Sequence, residues 1–260
     1  MEDKIIGMIV ASTNLDPKDI RYEIDMIKFC SKLSKALNEK SVKVYLFGGT
    51  ALNKGFFMDK QRLSRDLDFE VSKSQPFKIT ASKFESCIIR AGYRNIRTIE
   101  NKDAYTVYVS MEDTANELKI DLIPQKNAVR PIQLTLHSIL EYTGIPTETA
   151  DMPSYPFEYL LAYKLNALNK RMLYKDIYDS YVAFQMPLDI GKLVRYTAMF
   201  GNSKLMARSI IYNIENGKYD SKDELNYEKL VQEKYKVPLK NMLYEIKSRL
   251  FTYYNLAETP

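Results

Sequence analysis

The stretch Phe47-Gly48-Gly49-Thr50-Ala51-Leu52, followed further on by Arg62-Leu63-Ser64-Arg65-Asp66-Leu67-Asp68-Phe69, constrains the fold of this chain more than any other segment. Val42 to Phe47 (VKVYLF) has the composition of a strand. The two glycines after it let the backbone approach an anion closely, and Thr50-Ala51-Leu52 can open a helix whose first N–H groups face that anion. Such a strand, turn and helix start form a phosphate cradle. Asp66 and Asp68 lie two apart, and Leu67, Phe69 and Val71 alternate with them. As a strand, this segment points both carboxylates to one face. Two acids that close repel unless a cation lies between them. A hard divalent ion such as Mg2+ takes few carboxylates and keeps positions open for substrate phosphates.

A third acid fits the same geometry. In Glu117-Leu118-Lys119-Ile120-Asp121-Leu122-Ile123-Pro124 the apolar Leu118, Ile120 and Leu122 alternate with Lys119, Asp121 and Ile123. Asp121 therefore leaves its strand opposite the buried set. If the two strands are neighbours in one sheet, Asp66, Asp68 and Asp121 converge as a metal site beside the glycine turn.

The pattern resembles the AbiEii/AbiGii-type nucleotidyltransferase toxin family of the nucleotidyltransferase superfamily. Gly48 to Leu52 and Arg62, Ser64, Asp66 and Asp68 match the family's first motif, Gly-Gly-Thr-Ala-Leu followed by Arg-x-Ser-x-Asp-x-Asp. The run from Pro156 to Arg171, then Lys175-Asp176-Ile177-Tyr178-Asp179, is similar to its second, a helical Lys-x-x-Ala-Leu-x-x-Arg followed by basic-Asp-x-x-Asp. The likeness covers roughly residues 40 to 185. It implies an α+β fold: a nucleotidyltransferase-like mixed β-sheet flanked by helices over residues 1–145, then a C-terminal helical domain over 155–260 that contributes basic residues to the active-site cleft. It also implies an RNA acceptor, the 3′ end of a tRNA, and a toxin restrained by an antitoxin protein.

The second motif also reads on its own. Leu161, Leu165, Leu168 and Met172 recur at helical spacing as a core stripe, with Leu160, Lys164, Ala167 and Arg171 beside it. Lys175 and Asp179 lie four apart and can pair across one turn. These charges either meet a triphosphate or form a salt-bridge network at the core boundary. The upstream motif favours the first.

The rest of the pattern suits an α/β unit followed by a helical one. Asp16-Pro17 can cap and open a helix running to about Asn38. A helix is expected over Ala81 to Arg90, and strands over Asn95 to Ile99, Ala104 to Met111 and Leu118 to Ile123. The stretch from Gly144 to Pro156, with three prolines, reads as a linker. Helices follow to the end, with breaks near Pro187, Gly201, Gly217 and Pro238.

With 45% hydrophobic residues among 260, the chain can bury a substantial core. Cys30 and Cys87 sit in apolar helical contexts without metal-ligand spacing and read as reduced, buried thiols. No segment has the length of a membrane span, and the start carries no apolar run behind a basic cluster, so a cytoplasmic protein is expected. A net charge of +5 is compatible with holding an RNA backbone. In the helical half, Tyr174, Tyr178, Tyr212, Tyr227, Tyr244 and Tyr254 are among the tyrosines interleaved with lysines and arginines. They can stack bases, or pack their rings and expose their hydroxyls. The lone histidine, His137, lacks a partner for a metal pair and suits a hydrogen-bonded structural role. Neither Gly-x-x-x-x-Gly-Lys-Ser/Thr nor Gly-x-Gly-x-x-Gly occurs.

The expected reaction moves a nucleoside monophosphate from an NTP to an acceptor hydroxyl. Gly48, Gly49 and Thr50 would hold the β- and γ-phosphates, and Asp66 and Asp68 would coordinate Mg2+ or Mn2+. Asp121 would bind a second metal or act as base, and Lys164 would neutralise phosphate charge. Arg62, Ser64, Arg171, Lys175 and Asp179 are further nucleotide-binding candidates. Ser64 would orient a carboxylate or a phosphate oxygen. Phe56, Phe57 and Met58, between the glycines and Asp66, read as core packing. A protein-modifying nucleotidyltransferase, a metal-dependent nuclease and a non-catalytic nucleotide- or RNA-binding module remain as alternatives.

Overall fold

The computed structural model describes residues 2–94, 96–101, 103–111, 117–143, 147–219 and 229–256. The chain divides into two compact units, Met1–Tyr155 and Pro156–Pro260. The expected strand start at Asn95, the linker start at Gly144 and Tyr227 lie outside the described residues.

The first unit opens with α1 (Glu2–Thr13) and the long α2 (Pro17–Glu39). Asp16 caps α2 by accepting a hydrogen bond from the Lys18 amide at 2.7 Å, and Pro17 stands in the first turn, where its missing N–H costs nothing. Among the described residues the sheet has seven strands: β1 (Val44–Phe47), β2 (Asp66–Val71), β3 (Ile96–Asn101), β4 (Ala104–Ser110), β5 (Glu117–Pro124), β6 (Ile132–Leu136) and β7 (Ala150–Ser154). Their order is β3-β4-β5-β2-β1-β7-β6. β2 runs parallel to β5 and β1 to β7, while the other neighbours are antiparallel, so the sheet is mixed.

Alternation in the sequence gives this sheet its two faces. Leu67, Phe69, Leu118, Ile120, Leu122, Val107 and Val109 are fully buried on one of them. α4 (Phe77–Arg90) packs there, with the Phe84 ring 5.3 Å from that of Phe69. Each such aliphatic or aromatic side chain contributes about 1.5–3 kcal/mol on burial. Asp66, Asp68, Lys119 and Asp121 occupy the other face and are half-buried.

The expected elements need three adjustments. β1 begins at Val44 rather than Val42, and α4 begins four residues before Ala81, at Phe77. The expected linker holds β7, whose Ala150, Met152 and Ser154 are buried in alternation. Its prolines hid the period-two pattern. Pro153 is tolerated because β7 meets β1 in register at Leu46–Ser154, beyond it. α3 (Gly48–Phe56) fills the first part of the connection from Gly49 to Asp66. Phe57 then packs into the core, whereas Met58 stands exposed.

The second unit carries α5 (Phe157–Arg171), α6 (Tyr174–Ala183), α7 (Ile190–Ala198), α8 (Ser203–Glu215) and α9 (Leu239–Tyr253). Asp189 and Asn202 cap α7 and α8 through the Lys192 and Leu205 amides. Leu161, Leu165, Leu168 and Met172 form the expected core stripe of α5. Tyr174, Tyr178 and Tyr254 are buried, whereas Tyr212 and Tyr244 are more than half exposed. No described helix is long and apolar enough to cross a membrane.

Candidate active site

The glycine turn is built around a carboxylate. Gly48, the first residue of α3, has φ +75°, in the left-handed region that favours glycine. A Cβ placed on it would overlap Asp68 Oδ2 and stand 3.2 Å from Asp68 Cγ. The missing side chain thus makes room for the Asp68 carboxylate as well as for the turn. Register explains the closeness, because Phe47 on β1 lies directly opposite Asp68 on β2.

The first turns of α3 are pinned in place. Thr50 Oγ1 donates to the Asp66 carbonyl at 2.6 Å. Asn53, fully buried, donates from Nδ2 to the Gly49 carbonyl and accepts the Arg62 amide at Oδ1, both at 3.0 Å. One turn on, Lys54 forms a buried ion pair with Glu23 of α2, and Glu23 Oε1 also accepts the Ile139 amide at 3.3 Å. Burial lowers the Lys54 pKa, and Glu23 opposes that shift. The N-terminus of α3 is thus held at fixed distance from β2, with its N–H groups beside the acids.

The three aspartates line up by register. Asp68 is opposite Asp121 across the parallel β2–β5 pair, and Asp66 is opposite Lys119. Both oxygens of Asp121 are engaged. Thr106 Oγ1 donates to Oδ1 at 2.7 Å, and Lys119 Nζ stands 2.5 Å from Oδ2. The hydrogen bond to Asp121 raises the Lys119 pKa, against the effect of burial. Among the described residues no three His, Cys, Asp or Glu side chains gather in a geometry that would hold an ion. The donor set still fits a hard divalent cation, since Mg2+ is held by one or two carboxylates completed by substrate phosphates. Asp66 and Asp68, alternate residues of β2, are a pair of that kind.

Of the other candidates in this unit, Arg62 is buried, with its guanidinium donating to the Leu63 carbonyl at 3.1 Å, and it braces the segment entering β2. Ser64 is buried and its Oγ has no hydrogen-bond partner. Tyr22 of α2 donates to the Arg65 carbonyl at 2.8 Å, fixing the residue before Asp66. Burial, then the charge of Asp66, raises the Tyr22 pKa.

Three participants were not singled out from the sequence. Glu70 is the next acid on the face that carries Asp66 and Asp68. It is buried, and it accepts from Tyr155 Oη at 2.6 Å. Burial raises its pKa, against the Tyr155 hydrogen bond. Its even spacing after Asp68 was the available signal. Lys119 was visible as the alternate of Asp121, but Thr106 on β4 becomes apparent only through register.

The second motif forms its own cluster within the helical unit. Lys164 Nζ lies 2.9 Å from Asp176 Oδ1 and 3.0 Å from Asp179 Oδ2, and Arg171 Nε lies 2.9 Å from Asp176 Oδ2. Both carboxylates are wholly buried. Burial alone would raise the Asp176 pKa. Lys164 and Arg171 outweigh it and hold the carboxyl below the usual range. Lys175 sits half-buried on α6. His137 pairs with Glu141 at 2.6 Å, and both cysteines are free and buried.

A mixed sheet that sets paired aspartates against a glycine turn at a helix start is the framework of a nucleotidyltransferase. The family model for the AbiEii nucleotidyl transferase toxin of a type IV toxin–antitoxin system matches residues 33–254, and the chain belongs to that family. It is a nucleotidyltransferase toxin by that membership. Its fold is similar to that of MenT4, a nucleotidyltransferase toxin from Mycobacterium tuberculosis H37Rv. The TM-score is 0.67 at 12% identity, covering 99% of this chain and 91% of that one. A search of curated protein sequences finds no match.

Proposed function

We propose that this protein transfers a nucleoside monophosphate from an NTP to a hydroxyl at the 3′ end of an RNA, with tRNA as the favoured acceptor, and that an antitoxin protein restrains it. The observation that carries this reading is Gly48 packed on Asp68 at the start of a pinned helix. The turn and the carboxylates are held as one unit, as in-line phosphoryl chemistry requires.

In this reading Gly48, Gly49 and Thr50 present backbone N–H groups to the β- and γ-phosphates, while the Thr50 hydroxyl keeps the turn on β2. Asp66 and Asp68 hold a Mg2+ or Mn2+ ion. When bound, the ion supplies charge neutralisation on the triphosphate and the leaving pyrophosphate. Asp121, oriented by Thr106, takes the proton of the acceptor hydroxyl. Ser64, buried and unpartnered in its hydroxyl, keeps that hydroxyl for a phosphate oxygen. In the helical unit, Lys164, Arg171, Lys175 and Asp179 form the charged framework of the second motif, and Lys164 supplies its central positive charge.

The acceptor assignment is tested with labelled NTPs and total tRNA, either intact or treated with periodate to destroy its terminal diol. Label on intact tRNA that disappears after periodate supports the reading. Equal labelling of both overturns the 3′-end assignment, and label on protein alone overturns the RNA acceptor.

A further inference from the structure

Lys119 and Asp121 are alternate residues of β5, so their side chains leave the sheet on the same face. Register sets Lys119 opposite Asp66 and Asp121 opposite Asp68, which puts an ammonium group at the fourth corner of a set of three carboxylates. It stands 2.5 Å from Asp121 Oδ2, while Thr106 holds the other oxygen at 2.7 Å. The protein therefore fills both oxygens of the carboxylate that is to serve as base.

The two contacts differ in how easily they break. Thr106 is buried, and it keeps Asp121 oriented. Lys119 is 45% exposed and Asp121 28%, so their ion pair is wet and costs little to separate. A lysine stem has four flexible carbons, and its ammonium is a point charge that any strong anion competes for. A triphosphate carries more charge than one carboxylate.

We propose that Lys119 is a positioning residue that occupies Asp121 in the nucleotide-free enzyme and is drawn from it to the phosphates when an NTP binds, so that loading the enzyme shifts the base toward its free form. This rests on the metal and nucleotide reading above. Without substrate, Lys119 is the internal counter-ion of the Asp66, Asp68 and Asp121 set and competes with a divalent cation for it. With substrate, it adds positive charge to the phosphates.

The test titrates Mn2+ against wild type and Lys119→Met by electron paramagnetic resonance, without nucleotide and then with non-hydrolysable analogues of the four NTPs. Without nucleotide, Lys119→Met binds Mn2+ roughly threefold more tightly than wild type. With analogue present that advantage vanishes, and steady-state transfer shows KM for NTP rising more than kcat falls. Lys119→Arg keeps wild-type behaviour. Equal Mn2+ affinity of wild type and Lys119→Met without nucleotide overturns the proposal alone. Failure of wild type to bind Mn2+ with analogue present overturns the metal reading, and this proposal with it.

Discussion

Gly48→Ala tests the coupling between turn and carboxylate. At φ +75° an alanine is strained by about 1–2 kcal/mol through contact of its Cβ with the following carbonyl. The new methyl also overlaps Asp68 Oδ2 and crowds Asp68 Cγ at 3.2 Å, so the carboxylate must rotate away. Forcing a side chain off its rotamer costs about 0.5–1.5 kcal/mol. The stiffer unfolded chain returns about 0.4–1 kcal/mol. The net loss is about 0.5–3 kcal/mol, which at this length lowers Tm by about 1–12 °C. Transfer should fall much further, by about a hundredfold or more, because displacing a reacting group by even about 1 Å has that effect. Circular dichroism melts and a labelled-NTP transfer assay read the two effects separately. Adding Asp68→Gly to Gly48→Ala removes the clash and recovers its share of stability, while the backbone strain and the loss of activity persist. A Gly48→Ala protein with wild-type transfer would refute the reasoning.

Three further outcomes follow from the buried charges. Lys164→Met leaves Asp176 and Asp179 buried without their ammonium and should destabilise the protein by about 3–5 kcal/mol in urea unfolding; an unchanged midpoint would contradict the cluster. Asp176 is held below its usual pKa, so its contribution is present above about pH 4 and lost as pH falls through the depressed value. Acid titration of wild type against Asp176→Asn should therefore show the stability gap closing only below about pH 4. Glu23→Gln strands the buried Lys54 charge of α3 and should cost about 3–5 kcal/mol. Glu23→Gln with Lys54→Met should cost less than Glu23→Gln alone, and an additive double variant would count against the pair.

The acidic face was legible in the sequence because a strand has period two. Asp66, Asp68 and Asp121 stood out against Leu67, Phe69, Ile120 and Leu122, and burial follows that alternation. The Asp16-Pro17 start of α2 was equally readable, since capping chemistry is local. What escaped was cross-strand and long-range. The contact of Gly48 with Asp68 depends on the β1–β2 register, and Thr106 reaches Asp121 from a strand fifteen residues away. The Lys54–Glu23 pair joins residues thirty-one apart, a pairing that no local spacing signals. β7 was lost because its prolines signal a linker before its alternation signals a strand. The second motif was seen as a charged stripe, but that Lys164 bridges both Asp176 and Asp179 follows from how α5 and α6 pack.

The most direct measurement incubates purified wild type and Asp68→Asn with Mg2+, each labelled NTP in turn and total RNA, with both proteins checked for matching melts. The account predicts labelled RNA from wild type and its loss in Asp68→Asn, which keeps the shape of the side chain against Gly48 but removes the charge. Transfer by Asp68→Asn at the wild-type rate would contradict it.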